Sequence, residues 1–157
     1  MNNRLITNLS PFLLICAIGI AIYANTFDND FVFDDRSLIV QNPALHDLSS
    51  AQGWSRALGW YQPSRVLGFL SFAINYHVHQ EDVFGYHLVN LIIHILNACL
   101  VYLLITLLFE IPKLSKEPFT NKGEVIALFS ALIFLTHPLQ TQAVTYIYPR
   151  LSSQAAL

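Results

Sequence analysis

Residues 88–109 read LVNLIIHILNACLVYLLITLLF, an unbroken apolar run with no charged side chain. At 1.5 Å per residue such a helix reaches roughly 33 Å, enough to cross the hydrocarbon core of a bilayer. Around it the charge-free stretch runs from Asp82 to Glu110, and two more lie between Arg4 and Asp28 and between Glu124 and Arg150. Each exceeds the roughly 20 apolar residues that a crossing needs. The whole 157-residue chain fits this pattern: 54% is hydrophobic, only 11% is charged, and the mean hydropathy is +0.48. That excludes a disordered chain, which combines low hydrophobicity with high charge. A net charge of −2 excludes a strongly basic nucleic-acid binder, so no nucleic-acid partner is expected. Cys16 and Cys99 both sit in apolar runs and give neither a disulfide framework nor a cysteine zinc site.

The fold class expected is therefore an all-α integral membrane protein with three, and with a further crossing four, transmembrane helices. The first span covers about 11–27, with Pro11 in the first turn where its missing N–H costs nothing. A cleaved signal peptide is the competing reading, against a minimal basic start at Arg4 and a poor cleavage site at Ala21–Ala24. The second span is 88–109. The third covers about 124–148, interrupted at His137-Pro138, where a helix should kink or end. The connecting segments are an outer loop, 28–87, and a cytoplasmic loop, 110–123.

Orientation follows from the basic residues. Lys113, Lys116 and Lys122 all follow the second span, and Arg4 precedes the first. This predicts a cytoplasmic amino terminus in a multi-pass protein, in the bacterial inner membrane or, in a eukaryote, the endoplasmic reticulum. The segment between Asp28 and Asp82 holds seven of the ten acids and lies on the outer side. Trp54, Trp60, Tyr61, Phe69, Phe72 and Tyr76 suit the membrane–water interface, and Val66–Tyr76 reads as an interfacial helix too short to span.

Three groups of residues carry candidate chemistry. The first is Asp34-Asp35, a few residues after the first span. In an extended chain the two side chains point to opposite faces, so one carboxylate faces a site and the other fixes the backbone. A carboxylate beside apolar surface makes a general base; a helix cap or solvated turn is the plainer alternative. The second group is His87, Asn90, His94 and Asn97, one polar stripe along the second span. In lipid such a stripe must face protein or a water-filled cavity. Interhelical hydrogen bonding suits Asn90 and Asn97; His87 fits either packing or a substrate site. The third group is Arg65, His137 and Arg150. An arginine fork there holds a phosphate, a lipid head group or a carboxylate. No ligand spacing supports a metal, whether from His77 and His79 or from the aspartates with His137, and no cofactor is expected. The phosphate-loop, dinucleotide, Gly-x-Ser-x-Gly and His-Glu-x-x-His motifs are absent.

One ordered series of motifs spans the chain. It runs Asn25-x-Phe27, Phe31-Val32-Phe33-Asp34-Asp35, Asn42-Pro43, Ser64-Arg65 and Ser71-Phe72-x-x-Asn75-Tyr76. It continues with Tyr86-His87-x-x-Asn90-x-x-x-His94-x-x-Asn97-Ala98, and ends with Ala131-x-x-Phe134-x-x-His137-Pro138-x-Gln140-x-x-Ala143-Val144-x-Tyr146-Ile147 and Arg150. The series resembles the start of the transmembrane-and-tetratricopeptide-repeat O-mannosyltransferases and their bacterial relatives, with the protein O-mannosyltransferases as more distant kin. The family often has Arg-Pro in the outer loop, whereas Arg65 is followed here by Val66. The resemblance implies part of a C-type glycosyltransferase fold, about ten or more spans in the whole enzyme, and often a repeat domain. By that measure the chain is expected to be the amino-terminal fragment of a larger membrane domain, inactive in isolation.

The resemblance also implies a polyprenyl-phosphate-linked sugar as donor and a hydroxyl acceptor, such as Ser or Thr of a translocated protein. A carboxylate of Asp34-Asp35 would deprotonate the acceptor, and Arg65 or Arg150 would steady the departing phosphate. His87 and His137 are candidates for substrate contact. The alternatives are a transporter or proton-relay component, suggested by the His/Asn stripe, or a non-catalytic membrane subunit.

Overall fold

The computed structural model describes residues 9–59, 65–114 and 120–157. Arg4, Trp60, Tyr61, Ser64 and Lys116, used above for threading and motifs, lie outside the described residues. Every regular element among the described residues is helical. In chain order these are α1 (Ser10–Tyr23), α2 (Ala51–Gly59), α3 (Val66–His79), α4 (Val83–Phe109), α5 (Gly123–Thr136), α6 (Thr141–Thr145) and α7 (Arg150–Ala155). Short 3₁₀ and π turns link them.

The central helix, α4, has 27 residues and is about 40 Å long. It starts at Val83, earlier than the apolar run alone predicts. The cause is Asp82, whose carboxylate accepts the Phe84 N–H at 3.1 Å and caps the first turn. Among the described residues, α4 is the one helix long and apolar enough to cross a membrane by itself. Ser10–Thr26 is a shorter apolar helix. Thr120–Thr136 and Pro138–Thr145 pass the same test only when taken together as one broken span, bent by 51°. The break has the expected cause. Pro138 has no N–H to donate and forces His137 into extended backbone, with ψ at 132°.

α1 and α5 pack against α4 toward its Phe109 end, around Ile15, Ala98, Tyr102, Ala127, Ala131 and Leu135. The alanines keep the backbones close, as in membrane helix interfaces. Gly19 serves the same end, since a Cβ there would stand 2.9 Å from an Ile95 carbon. The outward faces stay apolar: Leu13, Leu104, Phe129 and Ile133 are all more than half exposed. Apolar exposure on this scale marks a surface meant for lipid or for another protein.

The stretch expected as a loop between the first two spans is instead a packed helical cap. Phe31, Ile39, Leu45, Phe69, Phe72, Tyr86 and Ile147 form one buried core at the His87 end of α4. The interfacial segment expected over Val66–Tyr76 runs on to His79 and supplies Phe69 and Phe72 to that core.

Candidate active site

The segment entering the cap is fixed residue by residue. His87 Nε2 lies 2.9 Å from the Asn29 carbonyl. Asp30 accepts the Phe31 N–H at 2.7 Å and pairs with Arg36 at 2.7 Å, while Arg36 Nε donates to the Phe31 carbonyl. Phe31 is buried edge-on against Tyr86. Phe33 then adopts a left-handed φ of 48°, a strained state for a bulky residue. Its ring is exposed and meets Tyr146 edge-on at 6.2 Å.

This reversal starts a helical turn at Asp34, so the aspartate pair is not extended as the sequence reading supposed. Successive side chains in a helical turn still diverge, and these two have opposite environments. Asp35 is only 2% exposed. Its Oδ1 accepts the Tyr148 N–H at 2.8 Å and its Oδ2 accepts the Val32 N–H at 3.1 Å. Asp34 is exposed and, with Asp35, lines a groove of about 190 Å³ formed also by Val32, Phe33, Gln142, Tyr146 and Tyr148. One carboxylate is thus committed to the backbone, and the other is free to meet a ligand.

Tyr148 joins this groove to a second cavity. Its ring stacks on Phe72, and its hydroxyl accepts from Arg65 Nη1 at 3.5 Å. Arg65 is exposed at the start of α3, beside a cavity of about 490 Å³ lined by the first turn of α3 and by Leu151, Ser152 and Gln154 of α7. A guanidinium beside the positive end of a helix suits an anionic group.

The other predicted site residues do not reach the groove. Arg150 is fully buried. Its Nε donates to Asn90 Oδ1 at 2.6 Å, its Nη2 to the Tyr86 carbonyl at 2.8 Å and its Nη1 to Ser71 Oγ at 3.5 Å, with the guanidinium carbon 4.6 Å from the centre of the Phe72 ring. Burial pushes its pKa down to about 9, against the opposing pull of Tyr86 and Asp35, so it stays charged at neutral pH. His87 is also buried, with its ring nitrogens facing the carbonyls of Asn29 and Val144. Of the two readings open for these residues, substrate contact or packing, the hydrogen bonds are those of packing. His137 is exposed at the α5 break, where Nδ1 accepts the Leu139 N–H at 3.2 Å.

The whole polar stripe of α4 faces main chain. His87 meets Asn29 and Val144; Asn90 donates to the carbonyls of Tyr146 and Ile147; His94 meets that of Leu135; Asn97 donates to that of Ser153. The Leu135 and Val144 carbonyls have lost their helical donors, since the Leu139 N–H bonds His137 Nδ1 and the Tyr148 N–H bonds Asp35, whereas those of Ile147 and Ser153 also accept the N–H groups of Arg150 and Ala156. A buried carbonyl without a donor costs about 1–3 kcal/mol, and the stripe meets that requirement. Sequence reading missed Gln142, Tyr146 and Tyr148 as groove residues. The available signal was the pair of tyrosines two residues apart, directly before Pro149-Arg150. Among the described residues, no group of three or more His, Cys, Asp or Glu is arranged to share a metal ion.

Taken together, these features describe an all-helical chain built on one membrane-length helix, with a carboxylate-bearing groove at one end. Among curated proteins, it is similar to protein O-mannosyl-transferases. It is 30% identical to Protein O-mannosyl-transferase F38B6.6 of Caenorhabditis elegans over 88% of this chain and 20% of the relative. It is 32% identical to human Protein O-mannosyl-transferase TMTC3 over 91% of this chain and 15% of the relative. It is 30% identical to human Protein O-mannosyl-transferase TMTC4 over 95% of this chain and 22% of the relative. The resemblance read from the motifs therefore holds over most of the chain, while the chain spans about a fifth of the length of these relatives. No family model and no solved structure matches it.

Proposed function

We propose that this chain forms the base-bearing part of a membrane glycosyltransferase of the C-type fold. Its reaction moves a sugar, mannose in the named relatives, from a polyprenyl-phosphate donor to a hydroxyl acceptor on the outer face. The observation that carries this reading is the contrast within the aspartate pair: both line the groove, but buried Asp35 has its two oxygens bonded to Tyr148 and Val32, whereas Asp34 is exposed. Asp34 takes the proton from the acceptor hydroxyl as that oxygen attacks the anomeric carbon. The bond from that carbon to the phosphate oxygen breaks with its electron pair, and the anionic lipid phosphate leaves toward Arg65. Arg65 meets the hydroxyl of Tyr148, which lines the groove with Asp34, and this supports assigning base and cation to one site.

The topology proposed with it has three crossings, over about 11–27, 88–109 and 124–148, with the amino terminus cytoplasmic and the aspartate pair outside. A lipid-borne donor then reaches the groove laterally. Three helices do not enclose a cavity, so the isolated chain is expected to be inactive and its site to work within a larger membrane domain. The test uses a chimera in which this chain replaces the matching region of human TMTC3. Transfer of labelled mannose from polyprenyl-phosphate mannose to a Ser/Thr peptide is expected from the chimera and lost in Asp34→Asn. Undiminished transfer in that variant would refute the assignment.

A further inference from the structure

Phe33 holds a backbone and a side chain that the packing of the fold does not require. Its φ of 48° lies in the left-handed region, which costs a bulky residue free energy. Burying the ring would offset that cost, yet the ring is 86% exposed. Among the described residues its aromatic contact is Tyr146, met edge-on at 6.2 Å. Glycine or asparagine would suit the same turn better, and neither would expose an apolar ring.

The surroundings of the ring point to what it meets. Phe33 lines the groove of about 190 Å³ together with Asp34, Gln142, Tyr146 and Tyr148. Asp34 and Gln142 are exposed, so a carboxylate and an amide stand beside the aromatic wall and can bond hydroxyls. A lipid acyl chain would cover the ring, but it would strip water from both polar groups and give neither a partner. A pyranose ring matches the whole set. Its C–H face lies against an aromatic face, whose π cloud is negative, while its rim carries hydroxyls for the carboxylate and the amide. The match improves as a sugar is transferred, because positive charge develops at the anomeric carbon and an aromatic face attracts it. We propose that Phe33 is the stacking residue for the transferred sugar, presented to the groove by its left-handed backbone; this rests on the groove being the site of transfer.

Two measurements test this in the chimera of this chain with human TMTC3. Para-fluorophenylalanine in place of Phe33 reads the ring directly and needs no turnover. Its fluorine resonance should move saturably with polyprenyl-phosphate mannose and stay in place with polyprenyl phosphate that lacks the sugar. No movement, or equal movement with both lipids, would overturn the proposal. Phe33→Gly removes the ring and suits the left-handed backbone. It should raise KM for the donor about threefold to tenfold, leave KM for the acceptor peptide within about twofold, and leave the unfolding midpoint no lower than the parent's. Phe33→Tyr keeps the ring and should hold the donor KM near the parent value. An unchanged donor KM in Phe33→Gly, a larger rise for the acceptor peptide, or a lowered midpoint would each overturn the proposal, the last because the ring would then be a packing group. If Asp34→Asn transfers at the parent rate while the fluorine response to the sugar persists, the base assignment has failed and the aromatic contact stands.

Discussion

Asp35 accepts the main-chain N–H of Tyr148 at 2.8 Å, across 113 residues of sequence. This contact ties the turn after α1 to the segment after the broken helix α5, and it sets the floor of the groove that Asp34 lines. The two neighbouring aspartates should therefore respond differently to the same substitution. Asp34→Asn touches an exposed side chain and should shift stability by less than about 0.5 kcal/mol. Asp35→Asn turns one acceptor oxygen into an NH₂ facing a main-chain N–H and should cost about 1–3 kcal/mol. Thermal unfolding of the purified chain in detergent reads both.

The Leu135 carbonyl, freed by the α5 break, accepts from the Tyr23 hydroxyl at 3.0 Å and lies 3.1 Å from His94 Nε2. Either donor alone keeps it satisfied. Tyr23→Phe or His94→Leu should each cost about 1 kcal/mol, and the double variant should cost more than their sum by about 1 kcal/mol or more, because only then is the carbonyl bare. A double-mutant cycle on unfolding midpoints measures the excess.

Arg150 is a structural cation. Arg150→Ala should destabilise the chain by more than about 2 kcal/mol, since it strands buried Asn90 Oδ1 and leaves a cavity where the guanidinium packs on Phe72. Arg150→Lys should recover only part of the loss, because an ammonium cannot reproduce the fork that spans Asn90, Tyr86 and Ser71. If Arg150→Ala instead unfolds at the same temperature as the parent chain, the buried network has little energetic weight.

Acid should loosen the start of α2. Asp47 accepts from the Ser49 N–H, the Ser49 hydroxyl and the Ser50 hydroxyl, and these bonds hold its carboxyl below the usual carboxylate range. A lowered folded-state pKa gives stability that is present above the unfolded value and is lost as pH falls through the folded one. The protection of the Ser49 amide from exchange, relative to a free peptide at the same pH, should therefore fall below about pH 4. Asp47→Asn should remove most of that pH dependence.

How much of this was legible in the sequence depends on the kind of contact. α4 announced itself, because an apolar run between distant charges has few other readings. Its four polar residues read correctly as one face. Their partners did not, since main-chain carbonyls at Leu135, Tyr146 and Ser153 carry no residue-type signal. The aspartate pair stood out, but its geometry depends on the left-handed backbone at Phe33, and a phenylalanine gives no warning of that conformation. Arg150 and His87 read in sequence as either substrate ligands or packing groups, because residue type does not separate the two. Both are buried, Arg150 against Phe72 and Tyr86 and His87 against the carbonyls of Asn29 and Val144. Tyr148, which lines the groove and meets Arg65 through its hydroxyl, went unremarked because its shortest contact is made by its backbone.

Arg65 and Tyr148 give the proposed phosphate end its own signature. In the chimera with human TMTC3, Arg65→Gln should raise KM for polyprenyl-phosphate mannose about tenfold, with a smaller change for the acceptor peptide. Tyr148→Phe should do the same more weakly, since it removes a single long hydrogen bond.

The most direct measurement is the initial rate of mannose transfer by that chimera, compared for the parent, Asp34→Asn and Asp34→Glu at matched expression and unfolding temperature. Loss of a general base should cut the Asp34→Asn rate by about 10²–10⁴-fold without lowering the unfolding midpoint, with Asp34→Glu retaining part of the activity. An Asp34→Asn chimera that transfers mannose within about threefold of the parent would contradict the assignment of this groove as the site of chemistry.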